Sequence, residues 1–258
     1  MRSKITANNP YPPKMPHSLM WQYLYDNKIS GNFIDYGAHD GKILKTLASD
    51  GFVINGIGLD VNESVVEKNN NSLPKNIQLK LILKNAPLEF SDNTFDVVTI
   101  LGVIEHVHDQ KKLLDELYRI LKPGGTIIAL VPGKNFFSFL DTGNWKFVFP
   151  RLHKFFYTIA YSKEKYQKRY ILCENGLIGD IETEKSWHQH FSPVELKNLM
   201  EESNFVFKYS DGRGLFFRFI GFFNLITFRI FNFLLEPLQN FDSRIFSKDE
   251  IMRGCTKQ

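Results

Sequence analysis

Residues 32–41 read Asn-Phe-Ile-Asp-Tyr-Gly-Ala-His-Asp-Gly. An apolar strand ends in Asp35, and a turn carrying Gly37 and Gly41 runs straight into an amphipathic helix. In an α/β sheet this junction opens a site for a nucleotide-type ligand. The carboxyl end of the strand and the N-terminus of the helix present backbone N–H groups and leave room for close approach. The dinucleotide fingerprint Gly-x-Gly-x-x-Gly needs three glycines, whereas this turn has two, four residues apart behind an acid.

The same grammar repeats downstream. Residues 52–60 read as a second buried strand ending in Asp60, about twenty residues past the glycine turn. Doubly wound folds place a carboxylate at that offset against ribose hydroxyls, and a carboxylate suits a diol because it accepts two hydrogen bonds at once. Residues 77–83 form a third strand and 94–101 a fourth. Next come Gly102-Val103-Ile104-Glu105-His106-Val107, a helix over about 111–121, the turn Lys122-Pro123-Gly124-Gly125 and a fifth strand at 126–131.

The spacing Asp35-x-Gly37-x-x-x-Gly41 resembles motif I of the class I S-adenosylmethionine-dependent methyltransferases, usually Asp-x-Gly-x-Gly-x-Gly. From Asp92 to Pro132 the chain carries Asp-Asn-Thr-Phe-Asp-Val-Val, Val-Ile-Glu-His-Val, Leu-Lys-Pro-Gly-Gly and an apolar strand ending in Val-Pro. This order is similar to the branch containing the ubiquinone-biosynthesis O-methyltransferases. Trp187-His188-Gln189-His190-Phe191-Ser192-Pro193, opening a helix at 194–200, also resembles that branch. The resemblance covers roughly residues 30–133 and 186–210.

It implies an α/β fold, a doubly wound, mostly parallel seven-stranded Rossmann-like sheet whose last strand, 249–256, runs antiparallel. It implies S-adenosyl-L-methionine as cofactor, held by Asp35, Gly37, Ala38, His39, Gly41, Asp60, Val61, Asn85, Ala86, Leu101 and Gly102. Two departures stand out. His39 replaces the middle glycine of motif I and either lines the pocket or faces solvent. Lys84 occupies the position where these enzymes often set an aspartate against the adenine amino group, and lysine has no acceptor. The neighbouring Asn85 offers a side-chain carbonyl instead, with Ala86 packing on the ring.

A sulfonium is an already activated methyl donor, so the protein must mainly align nucleophile and methyl and exclude water. A hydroxyl acceptor gains about 10²–10⁴-fold from a base. Histidine suits this, with an ordinary pKa of about 6.5. His106, just past strand four, is one candidate; His188 and His190, on a loop entering a helix, are the others. A purely structural role for these histidines, with no dedicated base, is the alternative.

The chain has 258 residues, enough for one large core, with 43% hydrophobic and 23% charged residues, values of a globular protein. Cys173 and Cys255 lie far apart and fit neither a disulfide framework nor a metal site, so a reducing cytoplasm is the expected compartment. Residues 1–28 read as a proline-rich arm followed by a short helix, ahead of a methyltransferase domain over 29–258.

Only four of 24 phenylalanines precede residue 134. Most of the rest fall in an inserted helical cap at 134–186 and in a Phe-rich stretch at 214–235. Within the cap, residues 145–170 hold seven Lys/Arg against one acid, a local charge of +6 in a chain of +4, so the remainder is −2. The stretch 214–235 is long enough to cross a bilayer as a helix, but Arg218 and Arg229 oppose that, since a central arginine costs about 2.5–3.5 kcal/mol. Eleven residues apart, they share a face in a continuous helix. The stretch therefore reads as an amphipathic helix, either lying at the inner face of a membrane with its arginines at the headgroups or packing in a homodimer or lid.

The functional expectation is S-adenosylmethionine-dependent methyl transfer, to oxygen, on a membrane-associated glycan or lipid acceptor. The alternatives are a soluble, dimeric small-molecule or sugar-nucleotide methyltransferase and a methyltransferase-like binding protein without chemistry. Basic residues interleaved with aromatics can also line a nucleic-acid groove, but the chain lacks an RNA-binding module or recognition helix.

Overall fold

Runs of Val, Ile, Leu and Phe between residues 31 and 132 become five parallel strands: β1 (Gly31–Tyr36), β2 (Val53–Asp60), β3 (Ile77–Leu81), β4 (Phe95–Leu101) and β5 (Leu121–Pro132). The structure, a computed structural model, describes residues 8–11, 17–83, 86–172, 189–246 and 250–258. Two further strands, β6 (Phe205–Arg213) and β7 (Glu250–Lys257), complete a seven-stranded sheet of order β3-β2-β1-β4-β5-β7-β6. β7 runs antiparallel between β5 and β6, as the resemblance implied. The order reverses between β1 and β4, and a doubly wound sheet offers its crevice at the carboxyl ends there.

Side chains on successive strand residues point to opposite faces, so central strands covered on both sides need apolar residues at every position. Phe33, Val97 and Ile128 enter the core under α1 (His17–Asn27) and α2 (Lys42–Ser49), beside Met20, Leu24, Leu44 and Leu47. Their neighbours Ile34, Val98 and Ile127 enter the opposite core, closed by Leu114 and Leu117 of α4 (Gln110–Ile120) and Leu196 and Met200 of α8 (Pro193–Glu202). Local signals set the helix starts. Asn62 caps α3 (Glu63–Asn70), Asp109 caps α4, and Ser192 with Glu195 forms a capping box on α8. Cys255 is buried in β7, and that burial pushes its thiol up to about 11, which leaves it inert. Cys173 lies outside the described residues.

After β5 the chain forms a single 3-10 turn, Phe136–Leu140, then α5 (Thr142–Val148), α6 (Pro150–Ala160) and α7 (Lys163–Tyr170). The Phe-rich stretch differs from its reading as one helix over 214–235. It forms α9 (Phe217–Ile226) and α10 (Asn232–Ile245), broken where Phe228 and Arg229 adopt left-handed φ values of 52° and 64°. A helix apolar on most of its circumference cannot bury every face against one neighbour. The break lets α9 bury Ile220 and Leu225, and α10 bury Leu235.

The arginines consequently do not share a face. Arg218 donates to the Gly133 carbonyl at 2.9 Å, and Arg229 lies over the Tyr161 ring at 4.7 Å, so both engage protein rather than headgroups. The two Phe-rich regions pack on one another through Phe137 on Phe216, Trp145 on Phe222 and Phe156 on Phe228, with ring centroids 5.3, 4.8 and 6.0 Å apart. Among the described residues, no helix is long and apolar enough to cross a membrane.

Candidate active site

The turn between β1 and α2 is built on backbone geometry that few residues tolerate. Gly37 adopts φ +86°, and a Cβ there would collide with Val103 just past β4. Its N–H and that of Ala38 both donate to the Leu59 carbonyl, at 2.8 and 2.9 Å, which ties the turn to the end of β2. Gly58 makes that approach feasible, since a Cβ on it would lie 2.6 Å from the Ala38 Cβ. His39, in the place of the middle glycine, is left-handed at φ 49°. Its N–H donates to Asp60 Oδ2 at 2.8 Å, while its ring is partly exposed, 3.7 Å from Asp40.

Asp60 is buried at the end of β2. Its two oxygens accept from the N–H groups of His39 and Asn62, at 2.8 and 2.9 Å, which fixes the plane of the carboxylate. Each carboxylate oxygen offers about two acceptor sites, so one site per oxygen is left for a ribose diol. Val61 follows at the rim of the turn.

Asp35 is fully buried beneath the same turn. Thr99, its register partner on β4, donates to Oδ1 at 2.6 Å, and Oδ2 is buried with no partner among the described residues. Burial raises its pKa from 3.8 to about 6, with the Thr99 hydrogen bond opposing and the Asp60 charge adding. An orphaned carboxylate oxygen under a glycine turn fits a ligand that brings a cationic donor, and S-adenosylmethionine carries an ammonium group. The chain therefore fits the cofactor at both its amino-acid and its ribose ends.

Leu101 and Gly102 close β4, and Gly102 is held by a 2.8 Å bond from its N–H to the Leu130 carbonyl. On the other side of β2, Arg119 of α4 bonds the carbonyls of Leu88 and Phe90 at 3.0 and 2.7 Å, pinning the segment after β3. Ala86 is exposed on that segment, while Lys84 and Asn85 lie outside the described residues.

His106 and His190 both lie at the carboxyl ends of strands, beyond β4 and beside the end of β5. His106 ends a 3-10 turn after β4, with Nε2 4.0 Å from Glu105 Oε1, too long for a hydrogen bond. His190 precedes Phe191, whose N–H donates to the Pro132 carbonyl at 2.9 Å, at the last residue of β5. Gln110 links the two turns, donating to the Ile104 carbonyl at 2.8 Å and to Gln189 at 2.9 Å. His190 Nε2 lies 2.8 Å from Asp141 Oδ2, both nearly buried. A carboxylate only accepts, so Nε2 is the donor in this contact. His188 lies outside the described residues. The sequence reading missed Asp141, 49 residues before its partner. It also missed Thr99, which only a strand register could have placed opposite Asp35.

A family model described as a methyltransferase domain matches residues 34–129, from the middle of β1 to the middle of β5. Over these residues the chain is similar to S-adenosylmethionine-dependent methyltransferases. The match contains the glycine turn, Asp60 and the His106 turn, whereas the Asp141–His190 pair falls outside it. Among curated relatives, a demethylmenaquinone methyltransferase of Symbiobacterium thermophilum is 30% identical over 167 residues, covering 62% of this chain and 61% of that protein. One of Staphylococcus epidermidis is 35% identical over 114 residues, covering 43% of this chain and 46% of that protein. The chain thus spans about three-fifths or less of the length of these relatives.

An S-adenosylmethionine-dependent methyltransferase structure from Mesorhizobium loti aligns with a TM-score of 0.56 at 13% identity, covering 92% of this chain and 97% of that one. The structure of the [4+2]-cyclase SpnF aligns with a TM-score of 0.54 at 13% identity, covering 89% and 76%. At such identities the likeness shows the fold alone, and a cyclase among the neighbours makes the point that this fold hosts more than one chemistry.

Proposed function

We propose that this chain transfers the methyl group of S-adenosylmethionine to an acceptor hydroxyl, with a membrane-borne, lipid-linked or isoprenoid molecule as acceptor. When bound, the cofactor supplies a methyl group on a sulfonium, which needs no further activation by the protein. Asp35 Oδ2 receives the ammonium, Asp60 the ribose hydroxyls, and the glycines of the 37–41 turn allow close backbone approach. The segment at Asn85 and Ala86 takes the adenine. The Asp141–His190 pair carries the catalytic reading. Asp141 holds the ring in one tautomer, and His190 Nδ1 takes the acceptor proton as the oxygen attacks. His106, in the 3-10 turn after β4, serves as wall rather than base. The aromatic helices after β5 and β6 exclude water from the carboxyl end of the sheet, which strengthens each of these interactions.

The relatives' name, demethylmenaquinone methyltransferase, supports an apolar ring acceptor, and the aromatic surroundings of residues 136–170 support the same class. The test is labelled methyl transfer from S-adenosylmethionine into a lipid extract, followed by mass spectrometry for products heavier by one CH₂. A labelled lipid product is expected. Tight cofactor binding with no label in any lipid, glycan or small-molecule fraction overturns the transfer reading and leaves a binding protein.

A further inference from the structure

Helix α10 turns its apolar stripe outward. Leu234, Leu238, Phe241 and Ile245 recur at spacings of four, three and four, the period of one helix face, and are 50–63% exposed. The helix buries Leu235, Asp242 and Ser243 instead. Helix α6 does the same. Phe149, Leu152, Phe155 and Ile159 are 45–55% exposed, while His153 and Tyr157 are buried in a cluster with Tyr166 and Tyr170.

Helix α9 and the break after it join them, through Phe156 on Phe228 of the break to α6 and through Phe223 on Phe231 and Asn224 on Asn232 to α10. Phe223, Phe228 and Phe231 are themselves more than one-third exposed, so apolar surface continues from helix to helix. A helix in a globular protein normally aims its stripe at the core, and an exposed patch spread over three helices marks a surface that meets something apolar.

Charge selects the occupant. Arg151 and Lys154, both exposed, immediately precede Leu152 and Phe155 and set a basic stripe beside the apolar one. Residues 145–170 carry +6, against −2 for the rest of the chain. A two-fold dimer through this face would press two such segments together. An anionic leaflet complements them, and it accepts phenylalanine and leucine below its headgroups.

We propose that the exposed faces of α6, α9 and α10 dock this chain on an anionic lipid surface, as interfacial helices that do not cross it. The inference deepens the reading of a membrane-borne acceptor and rests on it for its purpose. Through the bond from Arg218 to Gly133, α9 is tied to the end of β5, so docking brings the carboxyl end of the sheet near the leaflet.

The test is flotation of the full chain with vesicles of phosphatidylcholine alone or mixed with phosphatidylglycerol, at low and high salt. S-adenosylhomocysteine-induced stabilisation is measured in parallel. Binding is expected to the mixed vesicles, weakening with salt. Leu238→Ser with Phe241→Ser is expected to abolish it, and Arg151→Glu with Lys154→Glu to weaken it about tenfold or more, with the stabilisation unchanged. No flotation with either vesicle, or equal and salt-independent flotation with both, overturns the proposal while retained stabilisation keeps the cofactor reading. A dimer that the same serine substitutions dissolve, without vesicle binding, overturns it in favour of a second copy. Flotation without any stabilisation by S-adenosylhomocysteine leaves the docking surface standing and removes the methyltransferase reading instead.

Discussion

The glycine turn at 35–41 and the helical layer of residues 136–170 and 217–245 both follow the carboxyl ends of strands, yet they are built on opposite economies of surface. The turn buries two carboxylates, Asp35 and Asp60, and restrains them with Thr99 and with backbone N–H groups. The helical layer instead leaves large apolar side chains in the open, Phe136 at 80% and Phe233 at 71% exposure among them. Buried charge is costly unless a partner compensates it, and exposed aromatic surface is costly unless something apolar covers it. Each region thus carries a deficit, which in the proposed readings a different ligand relieves: a cationic, polyhydroxylated cofactor for the first, an apolar surface for the second. The Asp141–His190 pair lies beside the end of β5, where the helical layer begins.

That junction gives the largest expected effect. His190→Ala is expected to cut turnover about 10²–10⁴-fold with cofactor affinity nearly intact, and Asp141→Asn to cut it less, since the ring remains. His106→Ala is expected to keep most of the rate. Single-turnover measurements on the three variants decide the matter. A rate loss confined to His106→Ala would move the base into the cofactor half and break the comparison.

Next comes the pH response of Asp35. Its folded-state pKa of about 6 lies above the ordinary 3.8, so between those values the folded state binds more protons than the unfolded state. Stability of the cofactor-free protein is therefore present below about pH 3.8 and declines as pH rises towards 6, by about 3 kcal/mol at most from this group. Asp35→Asn is expected to remove that slope and raise the melting temperature at pH 7. If Oδ2 receives an ammonium group, the wild type gains S-adenosylhomocysteine affinity as pH rises through 6, and the Asn variant does not. Thermal melts across pH, with and without ligand, check both signs. A wild-type affinity that is flat through pH 6 removes the ammonium assignment.

Asp60→Ala is expected to weaken cofactor binding by roughly 1.5–3 kcal/mol, the scale of hydrogen bonds to a charged group. Titration calorimetry reads this directly. Part of the loss will come through the turn, because His39 and Asn62 lose their acceptor. An Asp60→Asn variant separates the two, since its carbonyl oxygen can keep one of those bonds while charge is lost.

The strand–turn–helix geometry around Asp35 and Asp60 was legible in sequence because its determinants are local. Asp35, Gly37 and Gly41 lie within one turn, and Asp60 sits at the end of the next strand, so spacing carries that geometry. The same holds for β7, close to the span expected for it. The helical half was not legible in the same way. Phenylalanine content says that a surface is apolar, but only packing against Phe137, Trp145 and Phe156 decides where the stretch 214–235 breaks. Asp141 was invisible for the related reason that its partner, His190, is distant in sequence. Asp35 was read correctly as an end-of-strand acid, but its unpaired oxygen depends on the register that sets Thr99 opposite one oxygen and nothing opposite the other.

The smallest expected effect tests whether the two regions are energetically separate. Asp242 of α10 is buried, and its carboxylate accepts from the N–H groups of Leu215 and Phe216 at 3.1–3.2 Å, at the start of α9. It thus caps one helix of the docking layer from another, where an acid also meets the positive end of the helix dipole. Asp242→Ala leaves those N–H groups without their acceptor and is expected to cost about 1–2 kcal/mol, a cap's usual worth. For a chain of this size that is a fall of roughly 2–8 °C in melting temperature. The cofactor half shares none of these contacts, so S-adenosylhomocysteine affinity is expected to stay within twofold of wild type. Vesicle binding, which needs α9 and α10 held side by side, is expected to drop. A matching loss of cofactor affinity would mean that the helical layer closes over the cofactor itself, and that the two regions form one site.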